Sequence, residues 1–387
     1  MKRAIFFIIL LAVSAGCSGQ REAEEYDFIT FDFTKINSPK KELILQDFMD
    51  VEYISLETND DFLNDGFVAD IGKTIILVKN AREGDIFVYD RTGKAFSKIN
   101  RKGRGNEEYL SLRDITLDED NDEIYVNDSF GRKIMVYDLY GKFKRSLQYK
   151  EGVGTVYSEI FNYDKDNLIC LYEVYEGEDN LFMLISKQDG SITKEIKIPY
   201  KEKKVLDQRL VGETITIVSP SGPFRRITPF KGNWILFEFS SDTLYTLLPD
   251  YSLRPFLVRT PSIQSMNPEV FLLLRLFSDR YYFMETIINV YDFATRKGFP
   301  QSFMMYDKKE KAMFRYAVYN GDYLTKKEIY MNRLEPGNHE IESWQPLAAD
   351  QLVASHKKGE LKGKLKEIAA KLKEDDNPVI MLIKHKK

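Results

Sequence analysis

The stretch Asp85–Gln148, DIFVYDRTGKAFSKINRKGRGNEEYLSLRDITLDEDNDEIYVNDSFGRKIMVYDLYGKFKRSLQ, holds two copies of one unit. IFVYDRTGK (Ile86–Lys94) returns 48 residues later as IMVYDLYGK (Ile134–Lys142). In each copy the first strand is apolar or aromatic on both faces, which is typical of a strand buried on both sides. Asp and Gly then supply a tight turn into an amphipathic strand, as expected for an outer strand. A repeat of about 40–50 residues containing four short strands indicates a blade of a β-propeller.

The spacing of the turn aspartates predicts the number of blades. They stand at positions 90, 138, 189, 250 and 307, and their mean spacing of about 54 residues leaves room for one more unit after the last. The prediction is an all-β, six-bladed β-propeller of four-stranded antiparallel blades. Phe271–Phe277 has two interpretations. Asn267-Pro268-Glu269 resembles a helix start, whereas the repeat unit requires an inner strand at this position.

The two ends of the chain carry strands without a local partner. Asp50–Thr58 (DVEYISLET) is a predicted strand with nothing before it to pair with. Val379–Ile383 is apolar on both faces. Because a propeller must join its ends or expose two strand edges, these segments are predicted to share one blade. A single C-terminal helix, Lys358–Lys373, is expected to pack nearby through an apolar stripe of Leu361, Leu365, Ile368 and Leu372.

The first residues indicate export. Lys2 and Arg3 precede the apolar run Ala4–Val13, and small residues lead to Cys17. Ten apolar residues are too few to span a bilayer core, which needs about 20. The expected organisation is a signal peptide over 1–16, a tether over 17–41 and the propeller over 42–387. Within the tether, Phe28–Phe33 indicates a short strand laid on the body of the domain. The alternative to lipidation of Cys17 is an ordinary secretory signal with a chance cysteine.

Charge and cysteine content narrow the classes of partner. Removing residues 1–16 takes the formal charge from −4 to −6, which argues against nucleic-acid binding because a phosphate backbone requires a basic face. Cys170 then stands alone in an apolar run and is interpreted as a core thiol. The chain is expected to act as a monomer without a cofactor.

Four stretches resemble a known family: Gly103–Tyr109 (GRGNEEY), Val51–Glu57, Ile134–Gly141 and Glu374–Val379. Together they make the chain similar to the six-bladed β-propeller lipoproteins of diderm bacteria, relatives of the NHL-repeat propellers. Asn106 stands where that family usually has Pro. The resemblance implies the propeller fold and an outer-membrane lipoprotein of the cell envelope, facing the periplasm or the surface, and it fixes no activity.

Three motifs favour structural roles over chemical ones. GRGNEEY is followed neither by the Gly-Lys-Ser/Thr nor by the helix of a phosphate loop, so it is interpreted as an inter-blade loop. Asp118–Asp122 has calcium-loop spacing at its first three acids, but Glu123 replaces the required Gly, which favours a solvated turn. All three histidines (His339, His356, His385) lie near the C-terminus without ligand spacing, so no metal site is predicted.

The central channel remains the candidate site. Residues predicted on or beside inner strands are Arg113, Asp114, Glu159, Arg225, Arg226 and Arg275. A ring of arginines could hold carboxylates or sugar acids through bidentate bonds, and the alternative is that these charges tie neighbouring blades together.

Three functions stay open. The leading hypothesis is a non-catalytic module that binds a small molecule or protein while anchored to the membrane. The alternatives are a hydrolase or lyase whose channel carboxylates hold a metal, and a structural subunit of an envelope complex.

Overall fold

A computed structural model describes most of the chain. Its described residues are 28–32, 39–150, 155–174, 181–212, 214–220, 224–331, 334, 337–339 and 341–386. The predicted signal peptide and Cys17 lie outside these residues, and so does most of the predicted tether.

The N-terminal segment contributes strands to three different sheets. It forms β1 (Ile29–Asp32), β2 (Lys40–Ile44), the one-turn helix α1 (Leu45–Phe48) and β3 (Met49–Ser55). Strands β1 and β2 pair in parallel with strands more than 200 positions further along the chain. Strand β1 lies within Phe28–Phe33, where the sequence indicates a short strand, and the start of β2 lies in the stretch assigned to the tether.

The first three blades follow in chain order, and each is a four-stranded antiparallel sheet. Blade 1 contains β4 (Val68–Ile71), β5 (Ile75–Asn80), β6 (Asp85–Asp90) and β7 (Ala95–Asn100). Blade 2 contains β8 (Asp114–Asp118), β9 (Glu123–Asp128), β10 (Lys133–Asp138) and β11 (Phe143–Gln148). Blade 3 contains β12 (Thr155–Asn162), β13 (Asn167–Val174), β14 (Leu181–Ser186) and β15 (Ile192–Ile196). A separate hairpin, β16 (Gln208–Val211) and β17 (Ile215–Val218), precedes blade 4.

The last three blades complete a six-bladed propeller. Blade 4 contains β18 (Ile227–Phe230), β19 (Asn233–Leu236), β20 (Thr243–Leu247) and β21 (Leu253–Thr260), with β1 added at its outer edge. Blade 5 contains β22 (Val270–Phe277), β23 (Tyr281–Ile288), β26 (Gln301–Asp307) and β27 (Ala312–Tyr319). Strands β2 and β28 (Glu328–Ile329) both pair with β27, while β24 (Tyr291–Asp292) and β25 (Lys297–Gly298) form a side hairpin. Blade 6 contains β29 (Ile341–Leu347), β30 (Val379–His385) and β3.

The predicted fold class is confirmed, with two local differences and an answer for the one segment that the sequence left open. Among the described residues blade 6 has three strands, whereas blades 4 and 5 each gain a parallel outer strand. Phe271–Phe277 lies in the inner strand β22 and is not a helix. The predicted C-terminal helix Lys358–Lys373 is shorter, α3 (Gly363–Ala369), and follows a further helix, α2 (Ala349–Lys357). Gly359 and Gly363, with φ of +70° and +57°, interrupt the helical backbone between them.

The repeated turn has the same geometry in both of its copies. The Oδ1 atom of Asp90 accepts hydrogen bonds from the backbone N–H groups of Thr92 and Lys94, at 2.8 and 3.1 Å. Asp138 Oδ1 accepts the two equivalent bonds, both at 2.9 Å. Gly93 has a φ of +86°, and a Cβ there would lie 2.1 Å from the Ser55 carbonyl oxygen. Glycine is therefore required where the turn of one blade meets the strand of the preceding blade.

The core is divided into six hydrophobic clusters, one at each contact between neighbouring blades. Blades 1 and 6 share the cluster that contains Leu56, Ile76 and Ile380. Blades 5 and 6 share another, in which Leu361 and Leu365 cover the outside of β3. Cys170 is fully buried in the cluster between blades 2 and 3, which confirms its interpretation as a core thiol.

The ring closes through the pairing predicted from the sequence. Strand β3 runs antiparallel to β30, and Val51 faces Ile383. Asn377, fully buried just before β30, donates from Nδ2 to the carbonyl oxygens of Glu57 and Phe62, both at 2.8 Å. Its Oδ1 accepts from the N–H of Asn64 at 2.9 Å. The Asn-Pro motif thus joins the end of the chain to the segment that enters blade 1.

Two of the motifs from the sequence have structural roles. In GRGNEEY, Glu108 accepts from the Gly105 N–H at 2.7 Å, and the fully buried Tyr109 donates from its hydroxyl to the Gly84 carbonyl at 2.7 Å. The acidic turn after β8 is not simply solvated. Asp118 is buried in an ion pair with Lys187 of blade 3 at 2.6 Å, and Glu119 accepts the N–H groups of residues 73–75 in blade 1.

Deleting Asn377–Lys387 should prevent stable folding. The deletion removes the side chains at positions 379–383, all fully buried, and each contributes about 1.5–3 kcal/mol. That loss is comparable with the ~5–15 kcal/mol stability of a typical domain. The truncated protein should aggregate or unfold without a cooperative transition in circular dichroism, whereas the control that lacks only Lys386 and Lys387 should melt like the full chain. A soluble, cooperatively melting truncation would contradict closure through β30.

Candidate functional site

A cavity of about 220 Å³ lies at one end of the central channel. The innermost strands of the six blades are β4, β8, β12, β18, β22 and β29. The cavity opens where β4, β8 and β12 end, beside the turns that follow β4 and β8. It draws on blades 1, 2, 3, 4 and 6, and its lining includes Asp70, Asp114, Thr116, Glu119, Phe161, Asn162, Arg225, Trp234, Asn338, His339 and Trp344.

Carboxylates on the inner strands join each of the first three blades to the next. Asp70 in β4 accepts the N–H of Leu117 in β8 at 2.8 Å. Asp114 in β8 accepts the N–H of Ile160 in β12 at 3.4 Å. Glu159 in β12 accepts the N–H groups of residues 226 and 227, entering β18, at 2.8 and 3.1 Å. A charged group on an otherwise apolar inner strand is stabilised here by the backbone donors of the following blade.

Two of these carboxylates have strongly altered acidity. Burial raises the pKa of Asp70 to about 6, and the nearby Asp114 adds to the effect, while the N–H groups of Leu117 and Ile71 oppose it. Burial raises the pKa of Glu159 to about 7 against the attraction of Arg225 and Arg226. Asp70 lines the cavity, and no ion-pair partner contacts it within the described part of the chain. Perturbed carboxyl groups of this kind are common in binding and catalytic sites.

Arg225 lies on the cavity wall and is already partly neutralised. Its guanidinium contacts Asp114 at 3.3 Å and lies over the ring of Phe161, 5.3 Å from the centroid. The wall therefore combines an ion pair with an aromatic face. A cation can thus be held against this aromatic surface.

The remaining predicted arginines do not form a ring around the channel. Arg226 is buried between blades 3 and 4, bonded to Glu173 and 3.7 Å from Glu238. Arg275 is buried and bonded to Glu285 of the adjacent strand β23, with Nε 2.9 Å from Oε2. Arg226 thus joins two neighbouring blades, as the structural alternative raised from the sequence requires, whereas the pair of Arg275 and Glu285 lies within blade 5.

Arg113 is exposed just before β8, and its carbonyl accepts from Lys79 Nζ at 2.8 Å. Of the six candidates, only Asp114 and Arg225 line the cavity. Glu159, although buried beside it, contributes through its bonds to the next blade.

Several residues of the cavity were not selected from the sequence. Trp234 and Trp344 are the two tryptophans of the chain, and both line it. Trp234 packs against Phe161 and against His339, whose ring centroid lies 4.7 Å away. Burial lowers the pKa of His339, so its ring is neutral at pH 7. A single aspartate within the apolar strand Val68–Ile71 was the available signal for Asp70.

The described residues contain no group of three His, Cys, Asp or Glu side chains placed to hold a metal ion. In the same part of the chain, no helix has both the length and the apolar character needed to cross a bilayer.

Comparison with known proteins relates the chain to one family and to several solved propellers. The family model "Domain of unknown function (DUF4934)" matches residues 28–384. The comparison with curated proteins gave no match. BF0058 of Bacteroides fragilis NCTC 9343, thought to be exported, is 16% identical with a TM-score of 0.61, over 93% of this chain and 100% of that one.

Two further solved structures are similar over most of their length. A DUF4221 member from Bacteroides vulgatus ATCC 8482 is 10% identical with a TM-score of 0.48, covering 88% of this chain and 99% of that one. Virginiamycin B lyase from Staphylococcus aureus is 11% identical with a TM-score of 0.38, covering 87% and 99%. At 16% identity, the similarity to BF0058 shows that the two proteins share a fold and shows nothing about function.

Replacing Arg275 with Ala should destabilise the fold. The substitution leaves Glu285 buried without its cation, and breaking one side of a buried pair costs about 3–5 kcal/mol. Arg113→Ala, which changes an exposed side chain of the same type, should cost less than about 0.5 kcal/mol. Urea unfolding followed by circular dichroism measures both values. Equal midpoints for the two variants would contradict a structural role for Arg275.

Proposed function

We propose that this chain, which belongs to the DUF4934 family, is a binding protein whose ligand site is the cavity at the end of the central channel. The main observation that supports this proposal is that five blades of one propeller converge on a single small cavity. Apolar and aromatic walls with a few polar groups are characteristic of ligand sites. Here Phe161 and Trp344 provide the aromatic surface, while Asp70, Asp114 and Arg225 provide polar groups.

Two polar atoms of the wall support this assignment. Asn162 Oδ1 and His339 Nδ1 are buried and have no hydrogen-bond partner among the described residues. Buried polar atoms are normally paired, because an unpaired one costs about 1–3 kcal/mol. A bound ligand with hydrogen-bond donors would supply the missing partners.

Ligand binding should change the intrinsic tryptophan fluorescence, because both tryptophans of the chain line the cavity. A library of monosaccharides, amino acids, amines and organic acids would be screened by thermal shift, since a ligand that binds only the folded state raises the melting temperature. Hits would then be titrated by fluorescence.

The variant Ala69→Phe places a ring in the cavity wall and should abolish the response to any hit. Glu83→Gln, at an exposed turn of blade 1, should leave the response unchanged. Hits that bind Ala69→Phe as well as the wild type would place the ligand elsewhere.

We also propose that the protein is exported and held at the outer membrane by lipid on Cys17. The charged start, the apolar run Ala4–Val13 and the small residues before Cys17 support this proposal. The structurally similar BF0058 is thought to be exported as well.

The anchor can be tested by replacing Cys17 with Ser. Stable membrane attachment needs more than one acyl chain or a second signal, and the acyl chains of a lipoprotein are attached to this cysteine. Cys17→Ser should move the protein from the membrane to the soluble fraction, detected by immunoblotting. Cys170→Ser is the matched control and should stay with the membrane. Equal membrane fractions for wild type and Cys17→Ser would contradict the proposal.

A further inference from the structure

We infer that the ligand of the channel cavity carries a protonated amine. This inference rests on the proposed binding function and names its ligand class. It replaces the anionic ligand that a ring of arginines would favour, because the cavity wall has a surplus of carboxylates. The wall contains four acidic and two basic side chains: Asp70, Asp114, Glu119, Asp120, Lys73 and Arg225.

Two of the four carboxylates already have partners. Asp114 is paired with Arg225 at 3.3 Å. Glu119 accepts the N–H groups of residues 73, 74 and 75 at 2.5–2.9 Å, and hydrogen bonds from that turn lower its pKa although burial opposes the shift. Glu119 therefore stays ionised while it holds the turn of blade 1.

The other two carboxylates have no counter-ion among the residues that the structure describes. Asp70 accepts only N–H groups and an amide, and Asp120 is exposed at the rim; within the described ranges neither has an ion-pair partner. A negative charge that is partly withdrawn from water is stabilised by a cation close by. Among the described residues, therefore, no cationic side chain pairs with Asp70.

The aromatic part of the wall accepts the same kind of ligand. The guanidinium of Arg225 already lies over Phe161, which shows that a cation fits against a ring in this wall. Trp344, half-buried on β29, offers a second ring on the opposite side of the channel. An indole face is the best of the aromatic surfaces for a cation. A carboxylate and an indole around one small cavity are a favourable environment for an ammonium group.

The size of the cavity guides the choice of probes. A volume of about 220 Å³ accommodates a single six-membered ring with its substituents, so we use two pairs of probes of that size. Each pair differs in one group: D-glucosamine against D-glucose, and benzylamine against benzyl alcohol. Binding is measured by tryptophan fluorescence and by calorimetry at pH 7.5 and low salt, on wild type, Asp70→Asn, Asp120→Asn and the control Glu83→Gln.

The expected result is that at least one amine binds wild type at least tenfold more tightly than its neutral partner. Asp70→Asn should remove that preference, Asp120→Asn should reduce it, and Glu83→Gln should retain it. Asp120 is exposed, so its variant reports on charge even if Asp70→Asn fails to fold.

Equal binding of amine and neutral partner, an amine preference that survives both aspartate substitutions, or no binding of either amine would overturn the inference. Equal binding would leave the proposed binding function intact. That function fails separately, if the library screen yields no compound whose binding Ala69→Phe abolishes.

Discussion

The antiparallel pairing of β3 with β30 is the contact on which the rest of the molecule depends. Without it, blade 6 would lose its outer strand and the hydrophobic clusters on both of its faces would be exposed. The candidate site depends on the same pairing, since Trp344 and His339 belong to the unit that it closes. Closure therefore completes the hydrophobic contacts between blades and also forms the channel cavity. A ring of blades has a defined centre only when no blade is missing.

The inner strands of blades 1 to 3 carry carboxylates without disrupting the core, because each carboxylate has fixed partners in the next blade. Asp70, Asp114 and Glu159 all accept N–H groups from the neighbouring inner strand. Two of them also face the cavity, so groups that hold the blades together shape the binding surface as well. A substitution in the site is therefore expected to change stability together with affinity, and the two effects must be measured separately.

The fold was predictable from the sequence to a greater extent than the site. The repeated turn at Asp90 and Asp138 and the unpaired apolar strand at the C-terminus were sufficient to predict blades and closure, because turn chemistry and burial are local signals. The side chains that face the channel were predictable only in part: Asp114 and Arg225 were selected from the sequence, but β-bulges interrupt the inner strands. Register shifts lie between Val68 and Asp70, at Tyr157–Glu159 and around Arg275. One extra residue sends the following side chains to the other face, so alternation in the sequence could not place Asp70 or Arg275.

The N-terminal strands have a consequence for the order in which the molecule assembles. Glu52 and Lys384 form an ion pair although they are 332 residues apart along the chain. Contacts of such long range form slowly, since the chain entropy of closing the loop must be overcome first. Blades 1 to 3 consist of neighbouring hairpins and can form before the later blades. Strands β1, β2 and β3 can pair only when blades 4 to 6 have formed, so they reach their final positions after blades that follow them in the chain.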